Sequence, residues 1–384
     1  MADLYIGLMS GTSLDGADGV VVEMLGHTCR VLAHSYLPFS PALMQGLLAL
    51  NSPGHDELHR AARCANKLVL TYAQVVAQLL AQLDLKPDQI RAIGAHGQTV
   101  RHHPQALQNA AEDWFDGQPT PGYTLQLNNP ALLAERTGIA VVADFRSRDV
   151  SAGGQGAPLV PAFHQAMFAQ QDTAIAVLNI GGISNVSLLG PTSAIEPVVM
   201  GFDCGPGNVL MDLWCQQNLG VAYDKNGAWA ASGQVNTALL HQLLEEPYFS
   251  MPAPKSTGRD LFSPAWLEAQ LACHSQLPAQ DVQATLAMLT AQCCADGLRT
   301  FEGAIGKMLV CGGGALNSHL MALLQQALPL VKVLTTESAG LPPMQVEAAA
   351  FAWLAAKAMN GETGNLPVIT GARGTRVLGA IYPA

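Results

Sequence analysis

Charge is scarce in this 384-residue chain: Asp, Glu, Lys and Arg together make up 12%, and aromatic residues only 6%. The formal net charge is −10 and no basic run with interleaved aromatics occurs, so general attraction to nucleic acid or anionic lipid is not expected. No apolar run approaches the roughly 18–20 residues that span a bilayer. The opening MADLYIGLMSG lacks the basic start and long apolar stretch of a signal peptide. The eight cysteines (Cys29, Cys64, Cys204, Cys215, Cys273, Cys293, Cys294 and Cys311) form no CxxC pair, which argues against a zinc ribbon or a dithiol redox centre. Most sit in apolar or helical stretches, where a reduced thiol acts as a small hydrophobe. The expectation is a reducing, cytoplasmic compartment. Also missing are the GxxxxGK[ST] phosphate loop and the GxGxxG dinucleotide fingerprint.

What is present suits a compact α/β enzyme: 49% apolar residues and 37 glycines. The length exceeds one hydrophobic core and implies two domains. Strands are expected at 4–9, 18–24 and 30–35, then a helix near 55–84 that ends before Lys86-Pro87. Further strands are expected at 91–95, 123–127 and 139–143, with 104–122 as an exposed loop. The second half opens the same way, with strands at 174–180, 183–189 and 197–202. Helices fit 207–218, 235–246, 281–303, 315–327 and 343–359, and a strand at 307–311 runs into Gly312-Gly313-Gly314. Each half thus opens as strand, glycine turn, strand, strand, a duplication of architecture rather than of sequence.

Seven segments or residues carry candidate chemistry. GLMSGTSLDGAD (7–18) is a hairpin turn whose backbone amides and Ser/Thr hydroxyls can converge on phosphate, with Asp15 able to hold Mg²⁺; alone it reads equally as an ordinary glycine hairpin. Asn179-Ile180-Gly181-Gly182-Ile183-Ser184-Asn185 is its counterpart in the second half, and the pair is more specific than either turn. In GFDCGPGN (201–208), Asp203 at a strand end suits a general base better than a helix cap. ADFRSRD (143–149) beside a glycine loop reads as an arginine wall for a carboxylate, or else as a surface ion-pair network. His96 in GAHGQT either reaches a cleft or is a hydrogen-bonded core histidine. Cys311-Gly312-Gly313-Gly314 can lie flat against a nucleoside or simply make a tight connection. Glu347, a lone charge in an apolar helix, either lines a pocket or pairs with a hidden partner.

Taken together, MSGTSLDG, GAHGQT, ADFRSRDVSAGGQGAPLVPAFH, NIGGISNVS, GFDCGPGN, DKNGAWAASG, KSTGRD and CGGGALN resemble the anhydro-N-acetylmuramic acid kinase family, within the sugar kinase, actin and heat-shock ATPase superfamily. The resemblance implies an α/β two-domain actin-like ATPase fold with duplicated ribonuclease H-like mixed sheets flanked by helices. It divides the chain into an N-terminal lobe, 1–145 rejoined by 376–384, and a C-terminal lobe, 146–375. It implies ATP and Mg²⁺ as cofactors and a cytoplasmic reaction of peptidoglycan recycling, in which water opens the 1,6-anhydro ring and the freed six-hydroxyl is phosphorylated. Carried over residue by residue, Asp203 is the base. Gly11, Thr12, Ser13, Leu14, Asp15, Gly16, Ala17, Asp18 and Gly19 bind phosphate with Gly181 and Gly182, and Asp15 holds the metal. Gly312, Gly313 and Gly314 flank the adenosine, and His96, Arg148 and Glu347 contact the sugar. The partners implied are a small-molecule sugar and ATP, with no nucleic acid or membrane; a homodimer is expected because dimers are usual among soluble enzymes. The alternatives are another sugar kinase of the same superfamily, or a regulatory ATPase whose turnover answers to a protein partner.

Overall fold

The computed structural model describes residues 3–11, 13–105, 120–194, 199–253, 255–258, 260–301 and 304–384. Thr12 and most of the 104–122 segment lie outside the described residues. The strands in chain order are β1 Leu4–Met9, β2 Gly16–Leu25, β3 Thr28–Pro38, β4 Ile90–Ala95, β5 Gln98–His103, β6 Tyr123–Leu127 and β7 Val141–Ala143. They continue with β8 Ala174–Ile180, β9 Ile183–Leu189, β10 Val199–Pro206, β11 Ile305–Cys311, β12 Lys332–Thr335 and β13 Ala380–Tyr382.

The chain divides into two compact units, Met1–Met167 with Gln345–Ala384, and Phe168–Met344. The first carries a six-stranded sheet in the order β13-β7-β4-β1-β2-β3. β1, β2 and β3 form an antiparallel meander, while β4 and β7 continue the sheet parallel to β1. The second carries β10-β9-β8-β11-β12 with the same directions: β8, β9 and β10 antiparallel, β11 and β12 parallel. Counting strands within each sheet, both run 3-2-1-4-5, the first extended by β13 as an antiparallel sixth strand beside β7, so the ribonuclease H-like arrangement is duplicated as expected.

Each sheet is buried by apolar stripes of its own unit. In the first, Leu68, Val69, Tyr72, Val75, Val76 and Leu79 of the helix Glu57–Leu83 pack onto Ile6, Leu8, Ala17 and Val21. Full burial of each such aliphatic side chain contributes about 1.5–3 kcal/mol. The helix Val346–Met359 also belongs to this unit. It is buried nearly all round, which its AAAFAWLAAKA run permits. A Cβ on Gly7 of β1 would strike the Ala348 carbonyl, and one on Gly94 of β4 the Phe351 carbonyl. Backbone therefore lies against backbone here, which only glycine allows.

That contact corrects the expected boundary. Residues 345–375 join the first unit because their helix closes its sheet, and 146–167 stay with them. Within 146–156 the anchor is Asp149, whose carboxylate accepts hydrogen bonds from Gly156 N (2.8 Å), Asn365 Nδ2 (2.6 Å) and Thr370 Oγ1 (2.8 Å). Gly94→Ala is expected to destabilise the protein by about 1–3 kcal/mol through overpacking. The measurement is a fall in the urea midpoint with the slope unchanged.

Candidate active site

In the first unit, the turn joining β1 to β2 is fixed from below. Gln98 Nε2 donates to the Gly11 carbonyl (3.1 Å), and Leu14 N donates to the same oxygen (3.2 Å). Ser10 Oγ donates to the Gly97 carbonyl (3.0 Å), so its 2.9 Å contact with Tyr72 has the phenol as donor. The Ser10 hydrogen is thereby committed to the scaffold, contrary to the expectation that it faces a ligand. Leu14 is buried at φ +57°, a left-handed conformation that costs a branched residue free energy and is held here by its core contacts. Ser13 Oγ donates to Asp15 Oδ1 at 2.5 Å. Gly16 is demanded by packing, since a Cβ would meet the Tyr36 ring and the Leu37 carbonyl. Gly11 is not: a Cβ there meets nothing closer than 3.7 Å, so that space stays open for a ligand. Ala17 and Gly19 are buried strand positions, and a Cβ on Gly19 would strike Val75.

Three carboxylates lie close together at this end of the unit. Asp18 Oδ1 is 3.0 Å from His34 Nε2. Glu347 sits in the first turn of the helix Val346–Met359, and its carboxyl is raised by burial and by the charges of Asp18 and Asp15. The Arg146 guanidinium opposes that rise. Arg146 Nε and Nη2 donate to His96 Nε2 at 3.1 and 3.0 Å, and Nη1 donates to the Gly156 carbonyl at 2.8 Å. Burial lowers the Arg146 pKa to about 10 against the pull of Glu347 and Asp149. Burial, aided by Arg146, pushes His96 down to about 3, so the ring is neutral and serves as acceptor.

Arg146 therefore links His96 and Glu347, by hydrogen bonds to the first and by its charge on the second. Arg148 is exposed on the short helix Ser147–Ser151. Arg146 just precedes that helix, at its N-cap, and its guanidinium reaches His96 and Gly156. Two guanidinium N–H hydrogens of Arg146 have no partner among the described residues, enough for a bidentate carboxylate. A sequence reading sees two arginines two residues apart and has no period to choose between them.

The second unit gathers the other candidates. Gly181 and Gly182 join β8 to β9, and their carbonyls accept from Asn208 N (2.8 Å), Gly207 N (2.9 Å) and Val209 N (3.1 Å) at the start of the helix Val209–Leu219. Asn208 Nδ2 donates to the Ile180 carbonyl (3.2 Å) instead of capping its helix, a role that a cap-like position concealed. As at Gly11, a Cβ on Gly181 would meet nothing within 3.7 Å. Gly312 has φ +77° and its N–H donates to Pro343 O (3.0 Å). Cβ atoms on Gly312 and Gly314 would strike Asn179 and Ile180, and one on Gly313 would lie 3.5 Å from Asn208 Nδ2. The Gly312–Gly314 run thus lies directly against the end of β8, just before the 181–182 turn.

Asp203 lies inside β10 rather than at its end, because the strand continues to Pro206 through a bulge after Asp203. It pairs with Asn185 of β9, which pairs with Asn179 of β8, forming a row of polar residues across three strands. Asp203 Oδ2 accepts from Ser256 Oγ (2.9 Å) and Thr257 N (3.0 Å). Burial raises its pKa and those two bonds lower it. No group among the described residues donates to Oδ1.

Two copies of the 3-2-1-4-5 sheet, each with a glycine turn after its first strand, define the actin-like ATPase class to which sugar kinases belong. A family model for anhydro-N-acetylmuramic acid kinase matches residues 3–384, and the chain belongs to that family. Among proteins of that name, it is 58% identical to the one from Albidiferax ferrireducens, over 100% of both chains. It is 57% identical to that of Variovorax paradoxus, over 100% of this chain and 99% of that one. It is 51% identical to that of Pseudomonas putida, over 99% of each. Among solved structures it is similar to the activator of the 2-hydroxyisocaproyl-CoA dehydratase from Clostridium difficile with bound ADPNP, at 12% identity and a TM-score of 0.46. That match covers 94% of this chain and 99% of the other, and is too remote to bear on activity. No helix among the described residues is long and apolar enough to cross a membrane.

The neutrality of His96 has a consequence for stability. Its pKa is depressed in the fold from 6.5 to about 3, so the stability it confers is complete above pH 6.5 and is lost as pH falls towards 3. Within that window the histidine is expected to contribute a slope of about 1.4 kcal/mol per pH unit. Urea unfolding over a pH series should be flatter for His96→Gln by that amount; identical slopes would show that the ring protonates freely.

Proposed function

We propose that the protein is an ATP-dependent kinase that adds water across the 1,6-anhydro bond of anhydro-N-acetylmuramic acid and phosphorylates the six-hydroxyl. Asp203 Oδ1 takes a proton from water as that water attacks the anomeric carbon. The C1–O6 bond breaks, and O6 receives the γ-phosphoryl group, giving N-acetylmuramic acid 6-phosphate and ADP. The observation that carries this reading is the state of Asp203, a carboxylate with one oxygen held by two donors and the other free, one strand pair from a glycine turn with open space at Gly181.

The phosphates of ATP bind at the glycine turns 11–19 and 181–182, and Gly312–Gly314 flanks the adenosine. Arg146 binds the lactyl carboxylate of the sugar, with His96 orienting it and Glu347 beside it. A Mg²⁺ ion fits the first turn, because Asp15 and Asp18 concentrate negative charge enough to raise Glu347, and Mg²⁺ needs only one or two protein carboxylates when phosphates supply other ligands. Asp15 and Asp18 would hold it, and it would supply charge neutralisation for the transferring phosphate. The enzyme works in cell-wall recycling, as a cytoplasmic homodimer with no nucleic-acid partner.

Purified protein incubated with ATP and a panel of sugars in ¹⁸O-water is expected to consume the anhydro-sugar and place one ¹⁸O at C1 of the 6-phosphate, as read by mass spectrometry. Phosphorylation of glucose in its place would overturn the assignment. Asp203→Asn is expected to lower kcat at least about 10²-fold with nucleotide affinity kept, measured by calorimetry. Arg146→Ala should raise the sugar KM by about tenfold or more, whereas Arg148→Ala should leave it close to wild type.

A further inference from the structure

We propose that Ser256 is a positioning residue for Asp203, and that Tyr248, Lys255, Ser256 and Thr257 form a clamp which dedicates one carboxylate oxygen of that aspartate to orientation and leaves the other for proton transfer. The inference rests on the reading of Asp203 as the base and adds what sets its geometry and its ionisation.

Four hydrogen bonds converge on Asp203 from one stretch of chain. Asp203 N donates to the Lys255 carbonyl (3.0 Å), and Tyr248 Oη donates to the Asp203 carbonyl (2.7 Å). The main chain of the base is therefore gripped on both its donor and its acceptor. Lys255 Nζ donates to the carbonyls of Tyr248 and Phe249 (3.0 Å each) and lies 4.6 Å from the Tyr248 ring centre. Lys255 is thereby tied to the short helix Pro247–Ser250. The next two residues, Ser256 and Thr257, deliver both hydrogen bonds to Oδ2. A carboxylate can rotate about its Cα–Cβ and Cβ–Cγ bonds; two donors on one oxygen suppress that freedom and fix where the other oxygen points.

The two donors also differ in kind. Thr257 offers a backbone amide, which any side-chain substitution leaves in place. Ser256 offers a hydroxyl on an exposed residue, where water competes, so its loss has a moderate effect that spares the fold. The remaining titratable groups facing Asp203 do not blur the readout. Tyr248, on the short helix Pro247–Ser250, is pushed up by burial and by the Asp203 charge. Cys204, next along β10, is pushed up by its hydrogen bond with Cys294 and by burial. Cys293 and Cys294, on the helix Ala279–Asp296, lie against Cys204 and Gly205 rather than against the Asp203 carboxylate, and burial raises Cys293. Lys255 is lowered by burial and is occupied with two carbonyls.

The test is the pH dependence of kcat/KM for the anhydro-sugar in wild type, Ser256→Ala and Ser256→Thr. Removal of the Ser256 donor destabilises the Asp203 anion, so the acidic limb should move up by about half to one pH unit. Rates below the limb should then fall about threefold to tenfold, with Tm lowered by no more than a few degrees and with recovery in Ser256→Thr. An Ala variant whose limb stays with wild type overturns the proposal, even if its kcat is reduced. The Asp203 carboxyl can also be titrated directly by ¹³C NMR, its resonance assigned by its loss in Asp203→Asn. The same upward shift is expected there, and none would refute the role of Ser256. Should wild type fail to turn over the anhydro-sugar, the assigned activity falls, while the NMR titration still decides whether Ser256 sets the ionisation of Asp203.

Discussion

The first unit depends on one close approach: the helix Val346–Met359 lies so near β1 and β4 that its carbonyls occupy the space of two side chains at Gly7 and Gly94. Dense packing of this kind tolerates neither a gap nor an added methyl. It fixes where the first turn of that helix ends, and so brings Glu347 close to Asp15, Asp18 and Arg146. The electrostatics of this end of the unit follow from a contact that contains no charge at all.

Placed there, the charges balance by proximity rather than by formal ion pairs. Glu347 is raised by its carboxylate neighbours and by burial, while Arg146 is lowered by burial and supported by Glu347 and Asp149. Neutral His96 accepts from Arg146 and adds no charge of its own. In the second unit the corresponding problem is solved differently: Asp203 is half-buried, and backbone and hydroxyl donors rather than a cation steady it. A cation sets the local charge in one unit, and backbone and hydroxyl donors set it in the other.

Much of the fold was legible because the glycine turns punctuate strands of clear apolar character. The strands 4–9, 123–127, 174–180 and 183–189 match the expected spans, and the long helix ends where Lys86-Pro87 requires. β5 and the short helices at Pro41–Ala49, Pro130–Thr137 and Val160–Phe168 were missed, since elements of that length carry little periodicity. The unit boundary was misplaced for a related reason. A helix that is apolar on every side shows no preferred face, so its sequence does not tell which sheet it covers. At the site, Asp203, His96, Glu347 and the glycine turns were visible as residue types in motifs. Arg146, Asn208 and Ser256 were not singled out as site residues, because each acts through the direction of a side chain that tertiary structure alone sets.

The first unit is discontinuous, and that has a bearing on synthesis. As the chain leaves the ribosome, Phe168–Met344 has all its strands and helices in hand before residue 346 is made. The earlier sheet must wait through that whole interval with the bare glycine flank of β1 and β4 uncovered, and it is completed only when the last 40 residues arrive. The portion made first is thus the portion finished last, and its unprotected flank is where a nascent chain of this kind is most open to chaperones and to misassociation.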